Sequence, residues 1–297
     1  MQYVGKFYVT LALKTISPVE PIELIQASNI LKEYTTKGSS PLLVMANKGD
    51  LYVAKTSIQI KPTVEVINEV LCAYFAQCWR LNVPDFSLIQ IGEDIYQKYI
   101  GESGTLSNNY TKDSFGKRIY FGSKIIKDIV ELESYFSDLQ GKHDFNQFRS
   151  PTDLIKIGVF DQWIGNYDRS PDSPNILLSN QEDLFEFHPI DHTAAFAHLT
   201  DYKKVRDIML RIDPANSILS HPLLKKIVKF VDGNVLQNLK TEFLDCINHT
   251  VGKLDFIFAQ VPGEFGFSKK DKVHLKSFLT DEVRNKRISS SYLTFLR

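Results

Sequence analysis

Short apolar runs punctuated by Gly, Asn and Asp dominate the first part of the chain, and apolar residues at three- and four-residue spacing dominate the rest. Pro41-Leu42-Leu43-Val44-Met45-Ala46 and Leu51-Tyr52-Val53-Ala54-Lys55 flank Asn47-Lys48-Gly49-Asp50, a connection with Gly where positive φ is easy, and this predicts a β-hairpin. Over residues 64–81 the spacing of Ile67, Val70, Leu71, Tyr74, Phe75 and Cys78 follows i, i+3, i+4, i+7. That predicts a packed helix, closed off near Asn82-Val83-Pro84. Residues 86–91 and 95–100 read as two strands around Gly92-Glu93-Asp94, residues 101–117 as a long polar loop, and residues 119–123 as a last strand and crossing point.

Beyond Ser123 the periodicity turns helical. Residues 125–139 read as an amphipathic helix. Ser150-Pro151-Thr152-Asp153 reads as a helix start, with Ser as N-cap, Pro at the first helical position and Asp three residues after the cap. The helix that follows carries Leu154, Ile157, Phe160 and Trp163 and delivers the chain to Asn166-Tyr167-Asp168. Further helices are expected over 222–260 and 269–285. There is no internal repeat and no low-complexity linker. The expected class is α+β: a β-rich lobe over 1–122 and a helical lobe over 123–297, a division that a length of 297 residues suits.

Composition narrows the partners. A 43% hydrophobic and 24% charged chain with 35 basic and 35 acidic residues has no global electrostatic drive toward nucleic acid or an anionic membrane, so neither is expected as a direct partner. Met1-Gln2-Tyr3-Val4-Gly5-Lys6 lacks the pattern of a signal peptide, and no stretch approaches a membrane span. A cytoplasmic protein is expected. Cys72, Cys78 and Cys246 show no CxxC spacing, which argues against a disulfide framework or a structural zinc site.

The candidate chemistry lies between residues 160 and 192. Asp168 and Asn175 fall in a polar, Pro-rich loop before the apolar run Ile176-Leu177-Leu178, and Asp191 ends the run that begins at Phe187. Phosphoryl transfer needs such a set: one carboxylate to orient a hydroxyl, and hard oxygen ligands to hold Mg²⁺ on nucleotide phosphates. Each residue has a plainer reading as a turn or cap residue; the grouping at two strand boundaries favours the site. Asp168 is the candidate catalytic carboxylate, Asn175 and Asp191 the candidate metal ligands. Asp161 is read as capping or orienting the loop, Asp172 as a spare carboxylate, and Arg169 either as substrate-binding or as a brace. Upstream, Lys55 ends a strand where a kinase places the lysine that reaches the α and β phosphates. Glu69 is its candidate partner, with Glu65 one turn earlier as competitor. Gly38, Ser39 and Ser40 form a small polar segment whose N–H groups could approach phosphate oxygens. His188 and His192 bracket Asp191, but the remaining histidines show no grouping that a zinc or iron site requires.

The segments Phe160-Asp161-Gln162-Trp163, Asn166-Tyr167-Asp168-Arg169, Asn175-Ile176-Leu177-Leu178 and Ile190-Asp191-His192 resemble the HipA-like kinase family, a branch of the protein-kinase-like fold. Gly38-Ser39-Ser40-Pro41, Tyr52-Val53-Ala54-Lys55 and Asn68-Glu69 in a helix ending at Asn82-Val83-Pro84 add to it, so the likeness spans about residues 27–200. It implies ATP and Mg²⁺ as cofactors and a protein Ser/Thr hydroxyl as acceptor. Small-molecule phosphotransfer and a nucleotide-binding pseudokinase stay open as alternatives. One departure stands out. Asn175 follows Asp168 by seven positions, against about five in the kinase pattern, so Asp172-Ser173-Pro174 either bulges harmlessly or displaces Asn175.

Overall fold

Five N-terminal strands close on themselves in the computed structural model, which describes residues 19–34, 40–55, 64–103, 105–108, 110–132, 145–198, 202–208 and 217–295. They are β1 (Leu24–Glu33), β2 (Leu42–Ala46), β3 (Leu51–Lys55), β4 (Phe86–Gln90) and β5 (Ile119–Lys124), arranged β1-β2-β3-β5-β4 with β4 returning alongside β1 in parallel. Closure leaves no free edge. The expected hairpin is β2–β3: Ala46 N donates to the Asp50 carbonyl at 2.8 Å, and Gly49 takes φ 83° in the turn. The pleat of β3 buries Tyr52 and Ala54 in the barrel and turns Val53 and Lys55 to the other face. β1 is absent from the sequence reading because its register shifts between Ala27 and Asn29 and again between Ile30 and Lys32, and such bulges erase the period-2 alternation that marks a strand.

Helix α1 (Val64–Cys78) forms where the spacing predicts, and its residues from Val66 to Ala76 are all buried. Arg80 at φ 58° ends it, with Leu81 N reaching back to the Ala76 carbonyl at 3.0 Å. Residues 95–100, expected as a strand, instead lie within helix α2 (Glu93–Ser103). Ile95, Tyr96, Tyr99 and Ile100 are its half-buried stripe and Gln97 and Lys98 its exposed face, a 3.6-residue period that a short window disguises as alternation. Among the described residues of the polar connection that follows, a short 3₁₀ turn forms at Lys112–Ser114.

The predicted helix over 125–139 is also corrected. Ile129–Glu131 is a strand, β6, paired with β7 (Ile176–Gln181), which in turn pairs with β8 (Leu184–Pro189); residues 133–144 lie outside the described set. Tertiary pairing overrides helical spacing here because Ile129 and Val130, both β-branched, meet Ser179 and Leu178 across the ladder. Helix α3 (Asp153–Ile164) starts two residues later than expected: Asp153 N donates to the Ser150 carbonyl at 3.0 Å in a turn, and Thr152 occupies the N-cap position without a side-chain cap bond. All twelve residues of α3 are buried, so this is the axis of the helical part.

The remaining helices are α4 (Pro222–Phe230), α5 (Gly233–Val251), α6 (Leu254–Ala259), α7 (Lys269–Leu279) and α8 (Glu282–Ile288), in the two C-terminal regions where helices are expected. Trp79 follows α1 and stacks on Phe243 of α5 at 6.2 Å, while Phe160 and Trp163 of α3 lie 5.3 and 5.7 Å from it. One aromatic cluster therefore ties the end of α1 to the helical part. The chain is α+β, strand-rich first and helical afterwards.

Gly158 sets how closely α3 meets the 3₁₀ turn Ile218–Ser220. A Cβ there would sit 2.5 Å from the Leu219 side chain and 3.0 Å from Ile218, both fully buried. Gly158→Ala should therefore destabilise the fold by about 1–3 kcal/mol through overpacking, despite the better helix propensity of Ala; an unchanged denaturant midpoint would refute the close approach.

Candidate active site

Lys55 closes β3 on the face away from the barrel core, and two carboxylates meet it. Its Nζ lies 2.6 Å from Glu69 Oε1 and 3.1 Å from Asp191 Oδ1. Glu69 comes from α1, the element after β3, and Asp191 from the residue pair after β8, so the strand lysine joins neighbouring elements to one from the second half of the chain. Glu65, the competitor one turn earlier, forms no ion pair with Lys55 among the described contacts. Burial would pull the Lys55 ammonium down, but the two carboxylates outweigh it and hold Lys55 above its ordinary value. Burial pushes Glu69 up, with Lys55 opposing. For Asp191 burial also acts upward, yet Lys55 and the Thr193 hydroxyl, which donates to Oδ1 at 2.8 Å, bring the carboxyl down to about 2. Asp191 is thus ionised at neutral pH. Its backbone adopts φ 58°, a left-handed conformation a non-glycine residue takes only when its surroundings hold it there.

The loop after α3 is built on a buried ion pair. Gly165 at φ 64° terminates the helix. Asn166 N donates to the Asp161 carbonyl at 2.8 Å and its Nδ2 to Asp161 Oδ1 at 3.0 Å. Arg169 Nε lies 2.8 Å from Asp161 Oδ2, with both side chains almost wholly buried. Burial pushes the Asp161 carboxyl up to about 6 against the pull of Arg169. Of the two roles open to Arg169, the structure gives it that of a brace: Nη1 donates to the Pro174 carbonyl at 3.0 Å and to the Asn175 carbonyl. Asp168, one residue before this buried anchor, is exposed, and its N–H donates to Asn166 Oδ1 at 3.4 Å.

Arg169 also accounts for the extra length before Asn175. Ser170 and Ser173 exchange reciprocal N–H···O bonds at 3.2 Å, so Pro171 and Asp172 form the tip of a tight turn. The guanidinium then bridges from before that turn to the carbonyls after it. Asn175, at φ 45°, accepts from Ile190 N at 3.0 Å through its own carbonyl. Asn175 and Asp191 therefore leave the β7–β8 ladder together at its open end.

Between barrel and helical part runs a cleft whose walls are apolar, with Val53, Ala73 and Phe121 on one side and Leu177 and Ile190 on the other, and whose charged end is Lys55, Glu69 and Asp191. The donor set fits magnesium, which takes one or two hard oxygens from protein and the rest from phosphates and water: Asp191 and Asn175 offer a carboxylate and an amide oxygen. Among the described residues no group of three or more His, Cys, Asp or Glu is arranged to hold a metal by itself. The two histidines serve other ends. His188 Nε2 is 2.7 Å from Ser179 Oγ, and His192, kept neutral by burial, packs edge-on to Phe160 at 5.9 Å. All three cysteines are free and buried. Ser40 is described and buried, its carbonyl accepting from the Tyr110 hydroxyl; Gly38 and Ser39 lie outside the described residues.

One contributor escaped the sequence reading. Arg284 of α8, 6% exposed, donates through Nη2 to the carbonyls of Gln162, at 3.1 Å, and Trp163, and its guanidinium lies 3.7 Å from the Phe278 ring centroid. Its partners are carbonyls instead of a carboxylate, and burial pulls it down to about 9. It caps α3 immediately before the Asn166-Asp168 loop. In the sequence it is one arginine in an ordinary amphipathic helix, 121 residues from the carbonyl it reaches, and nothing local announces the contact.

A strand-rich lobe, a helical lobe and a lysine–carboxylate cluster in the cleft between them define a kinase-like protein. The profile of the HipA-like kinases matches residues 27–291, and the chain belongs to that family. Among solved structures it is similar to the Helicobacter pylori proinflammatory kinase CtkA, with a TM-score of 0.51 and 16% identity over 92% of this chain and 97% of that one; at that identity the likeness concerns the fold. A search of curated proteins finds no match.

Two predictions test the electrostatics. Arg169→Met leaves Asp161 as a buried carboxylate without its cation and should cost about 3–5 kcal/mol, read from the urea midpoint near neutral pH; a loss below 1 kcal/mol would remove the brace. Asp191 has a folded value below its unfolded one of about 3.9, so it contributes stability that is present above pH ~4 and lost as pH falls toward 2. Between pH 5 and 3 the midpoint of Asp191→Asn should therefore fall less than that of the parent protein.

Proposed function

We propose that this chain is an ATP- and Mg²⁺-dependent kinase that phosphorylates a Ser or Thr hydroxyl of a protein. The observation that carries the reading is Lys55 held between Glu69 and Asp191 at the charged end of an apolar cleft. The apolar walls suit a flat purine, and the lysine suits its α and β phosphates. Asn175 and Asp191 would hold Mg²⁺, which when bound neutralises charge on the phosphates. Exposed Asp168 would accept or orient the acceptor proton as the bond from hydroxyl oxygen to the γ-phosphorus forms and the β–γ bridging bond breaks, ADP leaving with its electron pair. Gly38, Ser39 and Ser40 would supply backbone N–H groups to the phosphates. The lobes of this reading are residues 1–122 and 123–297, with β5 as the passage between them. The turn at 170–173 supports an active enzyme over a pseudokinase, since it absorbs the additional residues before Asn175.

Mg²⁺-ATP should raise thermal stability by mass action, about 2.7 kcal/mol at a hundredfold excess over its dissociation constant, and Asp191→Ala should lose the Mg²⁺-dependent part. Asp168→Ala should leave nucleotide binding intact while transfer of labelled γ-phosphate to added protein drops by about 10²–10⁴-fold. Should binding and transfer decline together, Asp168 would be a structural or metal residue. Lys55→Met should stay folded and transfer poorly; full transfer by that variant would overturn the lysine's role.

A further inference from the structure

Helix α1 touches the chain after Asp191 at two consecutive residues. Glu69 Oε2 accepts from the His192 amide at 3.3 Å. One position earlier, Asn68 Nδ2 donates to the carbonyls of Thr193 at 2.9 Å and Ala195 at 3.0 Å. Asn68 is 1% exposed, so water cannot replace these bonds. The Tyr202 hydroxyl donates to Asn68 Oδ1 at 2.7 Å, which settles the orientation of the amide: its oxygen faces a donor and its nitrogen faces two acceptors. Tyr202 is itself buried and packs edge-on to Phe196 at 5.7 Å.

The segment held in this way is strained. Asp191, Phe196 and Ala197 all adopt left-handed backbone, with φ of 58°, 57° and 59°. Three such non-glycine residues within one short stretch persist only where surrounding contacts over-determine them. Upstream, the β7–β8 ladder fixes the chain through Ile190. Downstream, α1 holds the chain through Asn68, which spans the carbonyls on either side of Ala194, and Ala197 N donates to the Gly165 carbonyl at 2.8 Å at the far end of the segment.

We propose that Asn68, oriented by Tyr202, is a positioning residue for Asp191: it locks the strained segment 191–197 against α1, so that the helix carrying the partner of Lys55 also sets the placement of the metal-binding carboxylate. Neither residue lines the cleft. The inference rests on the kinase reading only for the identity of the metal and its nucleotide; the lock itself is independent of it.

The test uses the full chain and two variants, Asn68→Leu and Tyr202→Phe. Hydrogen exchange without ligand should quicken at residues 192–197 by about tenfold or more in Asn68→Leu, the worth of one to two hydrogen bonds, while β2 and β3 stay protected. The Mg²⁺ concentration giving half-maximal thermal stabilisation in the presence of ADP should rise by a similar factor, with the response to ADP alone unchanged. Tyr202→Phe should move both readouts in the same direction, by less. Uniform acceleration across the protein, or a folded variant with parental exchange at 192–197 and parental Mg²⁺ response, would reduce Asn68 to an ordinary core residue and overturn the proposal. If Asn68→Leu does not fold, Tyr202→Phe decides alone, and no local change in it also overturns the lock. A parent protein without any Mg²⁺ response would count against the metal role of Asp191, and the exchange result would then judge the lock by itself.

Discussion

An ammonium removed from water must be compensated, and the two carboxylates that compensate Lys55 come from different elements, one from each half of the chain. Glu69 stands on the helix that packs between barrel and helical part, and Asp191 follows a hairpin of the second half. A lysine with one partner would tie β3 to α1 only. With two, it fixes the width of the cleft and the height at which Asp191 stands above the β7–β8 ladder. Buried charges of this kind add little net stability. What they contribute is geometry, since any displacement of one partner leaves another uncompensated.

The helical half repeats the device with a different pair. Asp161 and Arg169 are buried together, and the arginine spends its remaining donors on backbone carbonyls beyond the 170–173 turn. A planar guanidinium with donors on several edges can hold one loop at both ends, which a lysine cannot do. Asp168 is exposed because its neighbour is anchored: the loop has one buried attachment, and the residue beside it is turned to solvent. Arg284 acts on the same loop from the other direction, by satisfying carbonyls at the end of α3.

Much of this was legible in the residue order. The β2–β3 hairpin, the helix carrying Glu69, the loop carrying Asp168 and the strand boundaries at Asn175 and Asp191 all follow from local pattern, because turn chemistry and apolar spacing act over a few residues. The misses share a cause. β1 hid behind two bulges, α2 presented too few apolar residues to distinguish period 2 from period 3.6, and β6 is a strand only because β7 offers it a ladder. In each case the deciding interaction lies outside the window in which periodicity is read.

The sequence by itself determined roughly on what elements the candidate residues stand: a lysine at a strand end, a glutamate on a packed helix, Asp168 and Asn175 around a proline-rich turn, and Asp191 after an apolar strand. Tertiary structure alone decided how they act together. It chose Glu69 over Glu65 for Lys55 and made Arg169 a brace. It also folded the surplus loop residues into a turn that leaves Asn175 beside Asp191, and it brought Asn68 and Arg284 to carbonyls more than a hundred residues away. The division has a physical origin. Backbone preference and hydrophobic periodicity are encoded over short spans, whereas the partner of a buried polar group is set by which distant surfaces the packed core brings within hydrogen-bonding reach.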